Sequence, residues 1–357
     1  MDSILILGAG ASGLSTALAL LKRGHRVSLI ERGTAGGEST WAGGGILSPL
    51  LPWDYPEPVS RLALASMQAY AAWVGAIEQL SADTAEFWRC GMRVMGLASS
   101  REALDWCVAH GLHAEIPPGH PDSLWLPDIA QARNPRLASV LGTAVLRSGG
   151  ALHRHTAGER AIVVAGHVVA IEAGGERHEA DRFVLCTGAW AGLGLEGLPG
   201  VPNIRPIRGQ MLLFKLEPGV LDTILFRNGL YIIPRRDGHI LVGSTLEDAG
   251  FDKSTDAATA SRLQAEAAEL LPVLAAAAPV RHWAGLRPGS PDNIPVIGRH
   301  PDFDNVYINA GHYRYGVTMA PASAELLADL MTGKAPALDP TPYSWEAAAT
   351  RRWNGTR

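Results

Sequence analysis

Several groups of residues in this sequence have the types and spacing to do chemistry. Near the start, Gly8, Gly10 and Gly13 stand in GAGASGL, with Ala9, Ala11 and Ser12 between them. A G-x-G-x-x-G that follows an apolar run and opens a helical pattern lets backbone turn tightly, approach a pyrophosphate and pack against a strand. Glu31 closes the next apolar run, where it can accept hydrogen bonds from an adenosine ribose, with Arg32 beside it. Ser39, Thr40, Trp41, Ala42, Gly43, Gly44, Gly45 and Ile46 follow. The two hydroxyls could donate to phosphate, and the three glycines would let backbone lie against a flat ring, which favours a flavin over a nicotinamide nucleotide. Late in the chain, Arg287 stands in WAGLRPGSPD after Gly285, and Gly311, His312, Tyr313 and Arg314 form a turn that Tyr315, Gly316, Val317 and Thr318 continue into a helical pattern. A guanidinium can grip a carboxylate with two hydrogen bonds, and a helix N-terminus stabilises negative charge on a reduced ring.

The elements that must position these residues are legible from hydrophobic period. Residues 4–7 read as a buried parallel strand, and Leu14, Ala17, Leu18 and Leu21 recur at helical spacing before Gly24. Residues 27–30 make the second strand. The alanine-rich stretch 59–88 reads as helix in two segments broken near Ser81, and Pro117, Pro118, Pro121 and Pro127 mark irregular chain. Residues 144–169 return to the first unit. Residues 183–185, followed by CTGAW, read as a late strand of the opening sheet whose terminal turn carries Thr187, Gly188 and Trp190 to the nucleotide side. Residues 212–216, 230–234 and 239–243 alternate as strands, with Arg236, Asp237 and Gly238 as a hairpin turn, and 258–274 reads as an amphipathic helix. Gly333 is placed to end the helix after residue 316.

Composition narrows the class. The chain has 357 residues, 47% hydrophobic and 18% charged, with a formal net charge of −4 and no basic block, so nucleic acid is not an expected partner. Cys90, Cys107 and Cys186 have neither metal nor redox spacing, which predicts reduced thiols in a cytoplasmic protein. The first apolar run is far shorter than the roughly 20 residues of a membrane span, so neither export nor a membrane span is expected.

Six ordered motifs carry a resemblance over nearly the whole chain: GAGASGL, STWAGGGIL, VLCTGAW, YIIPR, WAGLRPGSPD and AGHYRYGVTMAP. The chain resembles the D-amino acid oxidase and glycine oxidase family of flavoproteins, most closely the glycine oxidases of thiamine biosynthesis. The resemblance implies an α/β fold in which a Rossmann-like FAD-binding domain is interleaved with a substrate domain on a largely antiparallel sheet. The expected division is 1–80, 145–205 and 283–345 for FAD, and 81–144 with 206–282 for substrate. It further implies that Arg287 grips the substrate carboxylate, that Tyr231 hydrogen-bonds the same group, and that Arg314 lies close to substrate and flavin. Taken as residues alone, Arg287 could be a structural salt bridge, Tyr231 a core tyrosine and Arg314 a ligand of backbone or solvent. His312 reads as a turn residue supplying backbone donors.

The implied chemistry is hydride transfer from an amine α-carbon to flavin N5. The imine hydrolyses, and molecular oxygen is reduced to peroxide. Relatives that hold flavin covalently use a histidine where this chain has Ala42, or a late cysteine that is missing after Cys186, so noncovalent FAD is expected. Tyr315 replaces a smaller polar residue, and Pro52, Trp53, Asp54 and Tyr55 form a distinctive stretch, so both could reshape the pocket. Glycine, sarcosine, other N-alkylglycines and small D-amino acids all remain open as substrates. So do a dehydrogenase passing electrons to a quinone or carrier, a non-catalytic FAD-binding protein, and monomer against homo-oligomer. A tRNA-modifying relative would favour a basic surface and a fused methyltransferase, and this chain shows neither.

Overall fold

A computed structural model describes residues 1–49 and 51–353. The chain opens as strand β1 (Ser3–Leu7), helix α1 (Ala11–Lys22) and strand β2 (Arg26–Glu31). β1 is an inner strand, paired in parallel with β2 on one side and with Arg182–Leu185 on the other. Its alternation divides the core: Ile4 and Ile6 pack with α1 residues such as Leu14 and Ala17, while Leu5 and Leu7 face the other way. Val306–Ala310 and Ala151–Arg154 extend this sheet in parallel, and Val296–Arg299 adds an antiparallel edge. Its second face is covered by a small antiparallel sheet of Gly158–Val164, His167–Ala173 and Glu176–Glu179, through Ala161, Val168 and Ile171.

A second sheet runs in the order Arg281–Gly289, Arg205–Lys215, His239–Gly243, Leu230–Pro234, Ile224–Arg227, Met92–Met95 and Leu124–Leu126. Every pairing in it is antiparallel except that of Ile224–Arg227 with Met92–Met95. Period-two alternation again decides function: Leu230 and Ile232 pack with Leu263 and Ala267 of helix Ala257–Leu270, whereas Tyr231 and Ile233 face the core shared with the first sheet. The expected hairpin turn forms, with Gly238 at φ +84° and Arg235 N–H donating to His239 O at 2.7 Å.

Two helix expectations are corrected. Glu57–Ser81 is one helix that ends at the expected break, and no second helical segment forms between it and Trp88. Ala82 takes a left-handed conformation with its N–H on Glu78 O, the Glu78 carboxylate then accepts from Thr84 and Ala85, and the chain leaves into strand Trp88–Arg89. The later helix stops at Leu270 rather than 274 because Leu271 precedes Pro272, which disfavours helical geometry. Among the described residues no helix is long and apolar enough to cross a membrane.

One contact fixes α1 against β1. A Cβ on Gly13 would stand 1.9 Å from the carbonyl oxygen of Gly8, so no side chain fits. Gly13→Ala should therefore cost about 1–3 kcal/mol in urea unfolding. Gly142 lies inside helix Asn134–Arg147, and a Cβ there would have nothing within 4 Å, so Gly142→Ala should gain up to about 1 kcal/mol. Equal effects at the two sites would contradict this assignment.

Candidate active site

The glycine turn forms at the end of β1. Gly8 has φ +99°, and a Cβ there would lie 2.4 Å from Cys186 O, so β1, the strand Arg182–Leu185 and α1 converge without side chains between them. Gly10 opens α1 with no side-chain cap, and the Thr40 hydroxyl accepts from Ala11 N–H at 3.0 Å. The Glu31 carboxylate accepts from Ala9 N–H and Gly33 N–H, both at 2.9 Å, which locks the end of β2 to the turn. Burial pushes the Cys186 thiol up to about 12, leaving a neutral apolar floor beside the turn.

Two cavities meet here. One is lined by Gly8, Glu31, Arg32, Thr187 and Trp190, with the Arg32 guanidinium 3.4 Å above the Trp190 ring. The other is lined by Ala11, Ser12, residues 43–46, Tyr231, Arg287 and residues 311–318. Gly10, Ser39, Thr40, Cys186 and Gly188 line both, so the two form one continuous groove with the α1 N-terminus at its middle. Of the other expected contacts, Ala9 and Gly13 lie beneath the groove as packing, and Ala42 and Gly285 sit against each other outside it, in a separate shallow hollow. Their role is spacing: a Cβ on Gly285 would stand 2.4 Å from that of Ala42.

At the second end, Arg287 is carried by strand Arg281–Gly289, paired so that Ile207 lies opposite it. A Cβ on Gly209 would come within 2.1 Å of the Arg287 guanidinium, which therefore lies over bare backbone. Arg287 donates to Thr245 O at 3.1 Å and Ser244 Oγ at 2.5 Å, and among the described residues no carboxylate pairs with it or with Arg314. Burial lowers the Arg287 pKa, with the Tyr231 phenol opposing and the Arg314 guanidinium adding to that shift. Two cations side by side with no counter-charge make a site for an anion. The Tyr231 hydroxyl donates to Met211 Sδ at 3.7 Å and lies within hydrogen-bond reach of the Arg287 guanidinium.

The turn at 311–316 is braced from below. Ser290 Oγ donates to Gly311 O at 2.6 Å, and Tyr313 N–H donates to Pro288 O at 2.9 Å, so the turn and the end of the Arg287 strand move as one piece. Helix Gly316–Thr332 starts at this turn and ends at Gly333, as expected, with Thr318 Oγ1 donating to Ile46 O at 3.1 Å. His312 Nδ1 lies 3.3 Å from Ser12 Oγ, while His312 Nε2 and the Tyr313 hydroxyl are buried without partners. These orphaned groups, the side-chain-free cradle at 43–45 and the uncapped α1 terminus fit a long dinucleotide with a ring at this end.

Sequence reasoning missed Ser244, Asn134 and Ser48, which also line the ring end, and Arg235, which braces it. Ser244 carried no signal, because its strand ends one residue earlier; Asn134 begins a helix and looked like an ordinary start.

A parallel nucleotide sheet, a dinucleotide groove and two cations, Arg287 on the antiparallel sheet and Arg314 on the turn before helix Gly316–Thr332, fit a flavin-dependent oxidoreductase. The chain belongs to the family described as FAD dependent oxidoreductase, whose model matches residues 3–330. Its cofactor is FAD. It is 41% identical to a glycine oxidase of Pseudomonas aeruginosa, over 96% of this chain and 98% of the relative, and 40% identical to a glycine oxidase of Pseudomonas putida over the same shares. The solved glycine oxidase of Geobacillus kaustophilus superposes with a TM-score of 0.86 at 26% identity, covering 97% of this chain and 99% of that one.

Burial lowers the His312 pKa from 6.5 to about 4. The unfolded chain then takes up this proton first, so stability is full near pH 7 and falls as pH drops from about 6.5 towards 4, by roughly 3 kcal/mol in total. In urea titrations, His312→Gln should lose about 2 kcal/mol less than the parent between pH 7 and pH 4.5. Equal losses would mean that His312 is solvated.

Proposed function

We propose that this protein is an oxidase of glycine or a closely related small amine, such as sarcosine, another N-alkylglycine or a small D-amino acid. The observation that carries this reading is Arg287, a guanidinium without a carboxylate partner at the ring end of the FAD groove. The glycine oxidases to which the chain is similar lend it the substrate class. In this reading the division into 1–80, 145–205 and 283–345 for FAD, and 81–144 with 206–282 for substrate, separates the two tasks. Strand Arg281–Gly289 crosses the 283 boundary and hydrogen-bonds into the second sheet.

Arg287 holds the substrate carboxylate bidentately, Tyr231 donates its hydroxyl to the same group, and Arg314 adds a second positive charge beside it. Gly209 leaves the guanidinium free to lie flat, and Ser244 with Thr245 fixes its plane. With the carboxylate clamped, the substrate is held in one orientation within the cavity that the segment 43–45 also lines. FAD, when bound, supplies the two-electron acceptor for the α C–H bond as the amine lone pair forms the C=N bond. His312, held neutral by burial, adds no third cation near the neutral amine and presents backbone and ring donors at the groove. Water then converts the imine into an oxo acid with release of ammonia or amine, and molecular oxygen takes the electrons as peroxide. Free thiols and the lack of a spanning helix among the described residues support a cytoplasmic location.

In anaerobic additions glycine, sarcosine, N-ethylglycine and D-alanine should bleach the flavin, D-proline and L-amino acids should not, and aerobic turnover should release peroxide equal to oxygen consumed. Bleaching without oxygen uptake would instead make this a dehydrogenase. Arg287→Ala should weaken carboxylate binding by about 3 kcal/mol, roughly a hundred-fold in KM. An unchanged KM would remove the carboxylate from Arg287.

A further inference from the structure

Tyr315 and Tyr55, each singled out in the sequence as able to reshape the pocket, meet in space. Their rings pack edge to face, with centroids 5.1 Å apart and planes at 90°, and the Tyr315 hydroxyl donates to that of Tyr55. Tyr315 is 3% exposed and lines the cavity that holds Arg287 and Tyr231. Tyr55 is only partly buried and lies between exposed Asp54 and Pro56. The pair therefore spans the distance from the substrate end of the groove to solvent.

Both rings are held at their backbones. Tyr315 is the residue at which helix Gly316–Thr332 begins, and its N–H donates to His312 O at 3.0 Å. Tyr55 closes the short turn Pro52–Asp54 just before helix Glu57–Ser81, and Ser60 Oγ donates back to Pro52 O at 3.0 Å. Phenol side chains lose little entropy on ordering, so two of them joined edge to face make a stiff boundary at low cost. Arg314 lies among them: the phenols of Tyr315, Tyr55, Tyr231 and Tyr313 all act on its charge.

We propose that the Tyr55–Tyr315 pair is the outer wall of the substrate end and sets the largest substituent that the substrate can carry on its α-carbon or nitrogen. This rests on the carboxylate being held at Arg287. Glycine and sarcosine fit inside such a wall. Branched and cyclic amino acids meet the rings.

The test uses the FAD-loaded protein and carboxylates that cannot be oxidised: acetate, 2-methylpropanoate and 2,2-dimethylpropanoate, each titrated against the flavin absorbance spectrum. In the parent, affinity should fall along the series. In Tyr315→Ala, the affinity for 2,2-dimethylpropanoate relative to acetate should rise at least ten-fold, and Tyr55→Ala should move the ratio the same way by a smaller factor. Tyr315→Phe and Tyr55→Phe keep both rings and should leave it within two-fold. Tyr55→Ala, on the solvent side, carries the test if Tyr315→Ala does not retain flavin. An unchanged ratio in the alanine variants overturns the wall. Acetate binding that survives Arg287→Ala at full strength, with the ratio still moved by Tyr315→Ala, overturns the carboxylate assignment and leaves the wall standing. A parent that binds none of the three overturns both.

Discussion

The site depends on one buried guanidinium that touches no substrate. Arg235, 5% exposed, donates to Gly44 O at 2.8 Å, to Ala132 O at 3.1 Å and to the side-chain oxygen of Gln131. Gln131 in turn donates to Pro234 O at 2.8 Å. These bonds tie the end of strand Leu230–Pro234 to the glycine segment at 43–45 and to the chain entering helix Asn134–Arg147. Burial, reinforced by nearby Arg133, lowers the Arg235 pKa to about 10, so it stays charged at neutral pH. Burying a cation is costly unless its donors are met, and here carbonyl and amide oxygens meet both terminal nitrogens, while Nε is buried without a partner among the described residues. The strand that carries Tyr231 is thereby registered against the backbone over which a flavin ring would lie.

Arg287, on strand Arg281–Gly289 of the same sheet, is the opposite case. Its partners are the Thr245 carbonyl and the Ser244 and Tyr231 hydroxyls, all uncharged, which orient the guanidinium without neutralising it. The contrast separates a cation used as a brace from a cation kept available. Gly209 belongs to the same arrangement, because any side chain there would occupy the space of the guanidinium.

Much of this is legible in the sequence where local pattern and tertiary requirement coincide. β1, α1 and β2, the hairpin at 236–238 and the helix stop at Gly333 all follow from hydrophobic period and turn chemistry. The second helical segment expected within 59–88 does not form, because a left-handed residue turns the chain and Glu78 reaches forward to cap that turn, a contact made only in three dimensions. Arg235 is visible in YIIPR but mute: a charged residue at a strand end normally reaches solvent, and nothing local says that the Gly44 carbonyl lies waiting for it. Ala42 and Gly285 suggest cofactor contacts because they flank residues that line the groove; the structure uses them for close packing between segments.

The connectivity of the first sheet has a consequence for how the protein comes into being. β2 follows β1 at once, but Ile4 also pairs with Arg182, and Phe183 with Val306, so the second neighbour of β1 arrives only after more than half the chain has been made and the strand beyond it later still. A nascent chain emerging from the ribosome exposes its GAGASGL turn long before the strands and the 311–316 turn that complete the groove exist. Long-range pairing of this kind is slow and leaves apolar edges uncovered in the interim. Capture of FAD is therefore a late event of biosynthesis, and the supply of cofactor at that moment bears on how much of the newly made chain reaches the folded state.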